Sequence, residues 1–168
     1  ELARAQDLAR MGSFEWRRNQ KLGVLLSLEA LRVCGFGPHE EVSLRKMLRM
    51  VPTDERRALL RTLHACLRQS TVVAVDVPLT LRDGRQRVVR VEAEPEFNEH
   101  GHGAGYTGIV QDVTDRRQAE DKIRHLANFD SLTGLPNRRQ LIWRAERALE
   151  VARRMQHQCA LLLIDLDR

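Results

Sequence analysis

The sequence predicts an α+β fold: a five-stranded antiparallel sheet with helices on one face, then a linking helix and the first helix and strand of a second, α/β unit. Three observations carry this reading. Two short strand-like segments near the start precede several short helical ones and a three-strand meander, the order of a sheet that gathers its helices on one side. From Val72 the apolar period becomes two, and the alternation resumes after Asp83-Gly84, a hairpin signal. The last residues, "ALLLIDLDR" (160–168), are a short apolar run without helical spacing, as in a central parallel strand, ending in carboxylates.

Each element has its own signal. Residues 1–11 read as an amphipathic helix with Leu2, Ala5, Leu8 and Ala9 on one side, broken by Gly12 and Ser13. "SFEWRR" alternates Phe14 and Trp16 with polar residues, which predicts a strand, and "LGVLL" (22–26) predicts a second. Ser27 can cap a short helix through Leu28, Leu31 and Val33, stopped by "CGFGP". "EEVSLRKMLRMV" predicts another helix, and Pro52, Thr53 and Asp54 open a longer one carrying Leu59, Leu63 and Cys66 on one stripe, with Leu60 and Leu67 beside it. In the meander Val73, Val75, Val77, Leu79 and Leu81 point one way, and Val89, Val91 and Ala93 continue the pattern on the return strand. A Gly/His-rich loop, "NEHGHGAG", leads into the strand "YTGIVQDV". A polar helix follows from Asp115, with only Ala119, Ile123 and Leu126 as its apolar seam, too narrow to hold a lone helix. The turn "DSLTGLPN" separates it from the helix "RRQLIWRAERALEVARRM".

Composition narrows the function. With 42% hydrophobic and 30% charged residues, the chain is globular rather than disordered. No stretch approaches the roughly 20 apolar residues of a membrane span. Residues 115–154 carry ten Lys/Arg against six Asp/Glu, and the remainder eighteen against seventeen. These cations sit among acids on helical faces, the pattern of a solvated surface, so no nucleic-acid partner is expected. Cys34, Cys66 and Cys159 lack metal-ligand spacing and read as packing residues in a reducing cytoplasm.

Two stretches carry a family resemblance. "GIVQDVTDRRQAE" (108–120), with its D-V-T-D-R run, resembles the last strand and the start of the signalling helix in PAS sensor domains. "MGSFEWR", "VPTDERRALL" and the hairpin "LTLRDGRQRVVRVEAEP" fit the same family, whereas "KLGVLLS" lacks the aromatic usual before the serine. "LANFDSLTGLPNRRQL" (126–141) closely resembles the opening segment of GGDEF domains, the diguanylate cyclases, and "ALLLIDLDR" their first core strand. The domains implied are an N-terminal helix (1–11), a PAS sensor (12–114), a signalling helix (115–129) and the truncated N-terminal part of a GGDEF domain (130–168).

The resemblance assigns roles. Asp112, Thr114, Asp115 and Arg116 form the strand-to-helix signalling motif, in which Thr114 or Asp115 can cap the helix and Gln118 completes a capping box. Asp130, Leu132, Thr133, Gly134, Asn137, Arg138 and Arg139 form the second motif, expected to brace a turn rather than to catalyse. Asp165 matches the family's metal-binding aspartate and Leu166 the residue giving a backbone carbonyl, donors for Mg²⁺ or Mn²⁺. Asp167 matches a position that is usually acidic. Without the motif, Asp165 and Asp167 would read as solubilising a strand end.

His64 is the candidate haem ligand of the PAS part, against its ordinary reading as a structural or exposed helix residue. The cysteine motif of flavin photosensors is missing from the sequence. His100 and His102, near Glu94, Glu96 and Glu99, read as hairpin-loop residues rather than a metal cluster.

The function implied is a sensory, regulatory and dimerisation module of a cyclic di-GMP signalling protein. The parent would be a homodimeric cyclase using GTP, cytoplasmic or anchored by upstream membrane segments, and this fragment would not itself be catalytically competent. The PAS ligand is unnamed by the sequence, and an empty pocket remains an option. Rival readings are the regulatory part of a GGDEF-EAL phosphodiesterase, and a ligand-free PAS interaction module.

Overall fold

The computed structural model describes residues 11–18, 23–162 and 164. The helix expected over residues 1–11 lies outside them except at Met11, which already belongs to a strand. The described chain forms two compact units, divided between Arg117 and Gln118.

In the first unit the strands are β1 (Met11–Arg17), β2 (Val24–Leu26), β3 (Val73–Thr80), β4 (Gln86–Phe97) and β5 (Gly103–Asp112). They form one antiparallel sheet in the order β2-β1-β5-β4-β3. Between β2 and β3 lie α1 (Leu28–Val33), α2 (Leu44–Met50) and α3 (Thr53–Gln69). The α+β class therefore holds, and the helices cover the face that the period-two pattern marks as apolar. Val77, Leu79, Val89 and Val110 of the sheet pack with Ala30, Leu31, Met50 and Val51 in the main core. A second cluster joins Cys66 of α3 to Ala93 and Tyr106, with Leu63, Leu67 and Trp16 around it. Each fully buried side chain of this size contributes roughly 1.5–3 kcal/mol, so the apolar face is what holds α1 to α3 on the sheet.

Local chemistry sets the ends of these elements. Ser27 Oγ accepts from the Ala30 N–H that the first turn of α1 leaves unpaired, and also from the N–H of Ser13 on β1. Ser43 caps α2 in the same way through Lys46 N–H. The β3–β4 turn closes with Gly84 at φ +82°, where a side chain would be strained.

Gly12 and Ser13 pair with Val110 and Ile109 inside the sheet, and the helix they are expected to end lies outside the described residues. Three expectations need correction. The Gly/His loop is shorter than its composition suggests, because Gly103 and Gly105 are strand residues opposite Phe97 and Glu96. Gly105 must be small: a Cβ there would meet the Trp16 carbonyl oxygen at 2.1 Å.

The other two corrections fall in the second unit, which contains most of α4 (Thr114–Asn128) and all of α5 (Arg138–Met155). The expected terminal strand is missing from the described residues: 157–162 and Ile164 are in neither helix nor strand. A central parallel strand needs ladder partners on both sides, and none flanks this run among the described residues. Cys159, expected to pack, is exposed.

Candidate sensory pocket and signalling helix

A cavity of about 110 Å³ lies between the sheet and its helices. Phe14 and Trp16 come from β1, Val77 and Leu79 from β3, Val91 and Val110 from β4 and β5. Leu44, Met47, Leu48 and Val51 close it from α2 and the residue after it, Leu59 and Leu63 from α3, and Val24 and Cys34 complete it. Burial pushes the Cys34 thiol up to about 11, with Arg87 acting weakly the other way, so this sulfur stays protonated at neutral pH. Trp16 stacks on Tyr106 with centroids 5.8 Å apart, and the Tyr106 hydroxyl donates to Leu63 O at 2.9 Å. The pocket wall is thus tied to both β5 and α3.

At the end of β5, Asp112 Oδ1 accepts from the Thr114 N–H (3.0 Å) and from its hydroxyl (2.5 Å). Thr114 Oγ1 in turn accepts from Val88 N–H on β4 at 3.0 Å. Thr114, expected as a cap, is the first residue of the helix, and its hydroxyl ties the helix start to the neighbouring strand. Asp112 Oδ2 lies 3.4 Å from Arg87 Nε, and Arg87 Nη1 donates to the carbonyls of Arg32 and Val33 at the end of α1. One turn further, Arg117 Nε donates to Asp76 Oδ2 on β3 at 2.7 Å, with its Nη2 on the same oxygen. Arg90, the cross-strand partner of Asp76, lies 3.6 Å from Oδ1. Asp115 and Arg116 sit beside this junction on the first turn of α4.

Asp76, Arg90 and Arg117 are not among the residues that the sequence singles out. A signal exists for one pair alone: in register, Asp76 on β3 faces Arg90 on β4, whereas no local pattern ties either to Arg117.

In the second unit the motif residues build a turn. Asp130 Oδ1 accepts from the N–H groups of Leu132 (3.2 Å) and Thr133 (2.9 Å) and from the Thr133 hydroxyl (2.8 Å). The Thr133 N–H and then its hydroxyl hold the Asp130 carboxyl below its ordinary range. Gly134 takes φ +70°, and its N–H donates to Asp130 O. Asn137 caps α5 by accepting from Gln140 N–H at 3.0 Å, and its Nδ2 donates to Ala127 O at 2.9 Å. Arg138 opens α5 exposed, and among the described residues its side chain makes no hydrogen bond or ion pair.

The structure places the other candidates apart from the pocket. His64 is exposed on α3, on the side away from the stripe of Leu59, Leu63 and Cys66, and so does not face the cavity. Four residues from Leu60, it shares that residue's exposed side instead of the buried one. Asn98 Oδ1 accepts from the N–H groups of His100 and His102, a loop built by its own backbone. Among the described residues no group of three or more His, Cys, Asp or Glu is arranged to hold a metal. Asp165, Leu166 and Asp167 lie outside the described residues.

Among the described residues no helix is long and apolar enough to cross a membrane. Comparison with known proteins assigns residues 27–118 to the family model described as "PAS fold" and residues 127–168 to "Diguanylate cyclase, GGDEF domain". An uncharacterized protein of Sinorhizobium fredii is 32% identical over 135 residues, 76% of this chain and 16% of that protein. A diguanylate cyclase of Vibrio cholerae is 31% identical over 98 residues, 58% of this chain and 30% of that protein. The chain thus spans less than a third of either relative. The crystal structure of a sensory box histidine kinase/response regulator from Burkholderia thailandensis superimposes with a TM-score of 0.61 at 26% identity, covering 73% of this chain and 92% of that one.

Proposed function

Since the chain belongs to the PAS fold family and continues into the start of a GGDEF domain, we propose that it senses and regulates within a longer protein that makes cyclic di-GMP from GTP. The observation that carries this is covalent order: a PAS fold over 27–118, the single helix α4, and a diguanylate cyclase match from 127. The domains proposed are residues 12–114 as sensor, 115–129 as signalling helix and 130–168 as the first part of the cyclase domain.

PAS and GGDEF domains commonly dimerise, and the apolar seam of α4 supports a homodimer here. Ile123 and Leu126 are exposed at 68% and 54%, which is unusual for the only large apolar residues of a helix. A change in the cavity would move β5, and through Asp112, Thr114 and Arg117 the first turn of α4. That would alter how two cyclase domains face each other, each holding one GTP.

GGDEF cyclases are generally metal-dependent. The carboxylate of Asp165 and the carbonyl of Leu166 are hard oxygen donors that suit Mg²⁺ or Mn²⁺. An ion held by these two residues would supply positive charge against the phosphates of GTP. The proposed setting is the cytoplasm, where GTP is supplied and Cys34 and Cys66 stay as free thiols.

The test compares cyclic di-GMP synthesis by the complete protein with that of a form lacking residues 11–113. Rates should differ by about 5–150-fold, the usual range of coupling between sites. Equal rates would remove the regulatory reading.

A further inference from the structure

We propose that the cavity of the sensor takes a small, uncharged, apolar molecule of about benzene size or less, and not a haem, a flavin or a carboxylate-bearing metabolite. This rests on the reading of residues 27–118 as a sensor, and it names the chemical class that reading leaves open.

The first argument is the lining. Every side chain around the cavity is aliphatic, aromatic or sulfur-bearing: no carboxylate, amide, hydroxyl or cation faces it. The only side-chain donors among the lining residues are the Trp16 indole N–H and the Cys34 thiol. An ionised ligand would have to leave water without a counter-charge, which is strongly unfavourable. Water fares little better, because an ordered buried water needs 2–4 polar partners. The strand backbones do not supply them: β1, β4 and β5 spend their N–H and C=O groups in ladders where they line the cavity, and β3, unpaired on its outer edge, directs its free groups sideways in the plane of the sheet rather than off the face the cavity occupies. A site that repels both ions and water leaves apolar molecules as its occupants.

The second argument is size. The volume of about 110 Å³ is somewhat below that of the roughly 150 Å³ apolar cavity that stays dry and binds benzene or xenon. A three-ring isoalloxazine or a porphyrin does not fit such a space. Neither finds its chemistry there: a flavin's polar edge has no amide or hydroxyl side chain to meet, and a haem has no histidine on the wall, His64 being exposed. The thiol that is present is held protonated by burial, so it behaves as a packing group and not as a nucleophile.

The experiment uses the full 168-residue chain with ¹³C-labelled Val and Leu methyls, titrated separately with benzene, xenon, benzoate and flavin mononucleotide. Benzene and xenon should shift the methyls of Val77, Val91 and Val110 saturably. Benzoate and flavin mononucleotide should bind at least about tenfold more weakly or not at all. Leu59→Phe, which fills the cavity from the half-buried side of α3, should weaken benzene by about tenfold with methyl dispersion retained. Val91→Leu, a smaller filling change, serves the same purpose should Leu59→Phe disturb folding. Unmoved pocket methyls under benzene and xenon would overturn the proposal, as would equal binding of benzoate or flavin mononucleotide, or undiminished benzene binding by a folded filled variant. None of those results bears on whether the sensor controls cyclic di-GMP synthesis. Conversely, equal synthesis with and without residues 11–113 would end the functional reading and leave the ligand class standing.

Discussion

Gly12 has no room for a side chain. A Cβ there would lie 2.1 Å from the backbone nitrogen of Ala30, which is fully buried in α1. The obstruction is helix backbone and cannot swing aside, so Gly12→Ala should cost about 3 kcal/mol in a denaturant titration, the upper end for overpacking. Gly37→Ala is the control: its nearest neighbour would be 3.8 Å away, and the change should stay within about 0.5 kcal/mol. Equal effects at both positions would show that the close approach of β1 and α1 is not as described. Sequence could mark Gly12 as special but not say why. Glycine after a helical pattern suggests a stop, and only the pairing of β1 with β5 turns it into a contact residue. At the other end of the chain, Asp165 is legible by motif alone. Asp165→Asn in the complete protein removes the charge proposed to hold the metal, so turnover should fall on the order of 100-fold or more with little change in melting temperature. An unchanged rate would reduce Asp165 to a strand-end solubiliser.

Whole elements were more readable than their edges. α5 runs from Arg138 to Met155, the stretch its sequence marks, because an Asn cap and an uninterrupted run of helix formers agree. The meander was visible for a similar reason: burial of one face forces a strict alternation in β3 and β4. Among the described residues of the terminal run, 160–162 and Ile164, no strand forms, since an apolar run specifies burial but not the neighbours that provide it. Between elements, Glu40 draws Lys46 of α2 and Arg82 of the β3–β4 turn together beneath the Phe36 ring region, each cation within 6 Å of that ring. The Lys46 ammonium first, then Gly37 N–H and Arg82, hold the Glu40 carboxyl down from 4.5 to about 2. A depressed folded value means that this contribution to stability is complete above the unfolded value and disappears as pH falls towards the folded one. Between about pH 4.5 and about pH 2 the native protein should therefore lose melting temperature faster than Glu40→Gln. Parallel curves would show that the cluster contributes nothing. The seam of α4 makes its own prediction. Ile123→Glu with Leu126→Glu should lower the mass measured by light scattering, because two apolar contacts worth roughly 1.5–3 kcal/mol each are replaced by charge repulsion. A wild-type chain that is monomeric at high concentration would contradict the dimer reading.

At the scale of the molecule, fold class and motif order could be read directly, because the apolar periodicity and the two motifs are local patterns. The cavity and the Asp76–Arg117 clamp could not, because both depend on which strands and helices come together across long sequence separations. Together they support the central proposal, that this PAS fold with its apolar cavity controls a following cyclase domain through the braced strand–helix junction and α4. The most direct measurement is the rate at which the complete protein converts GTP with Mg²⁺ to cyclic di-GMP, read by mass spectrometry, for the native sequence and for Ile123→Glu with Leu126→Glu. The native protein should make the product, and the variant should do so at least about fivefold more slowly, with an unchanged melting temperature for the sensor. Equal rates, or no product from the native protein, would contradict the claim.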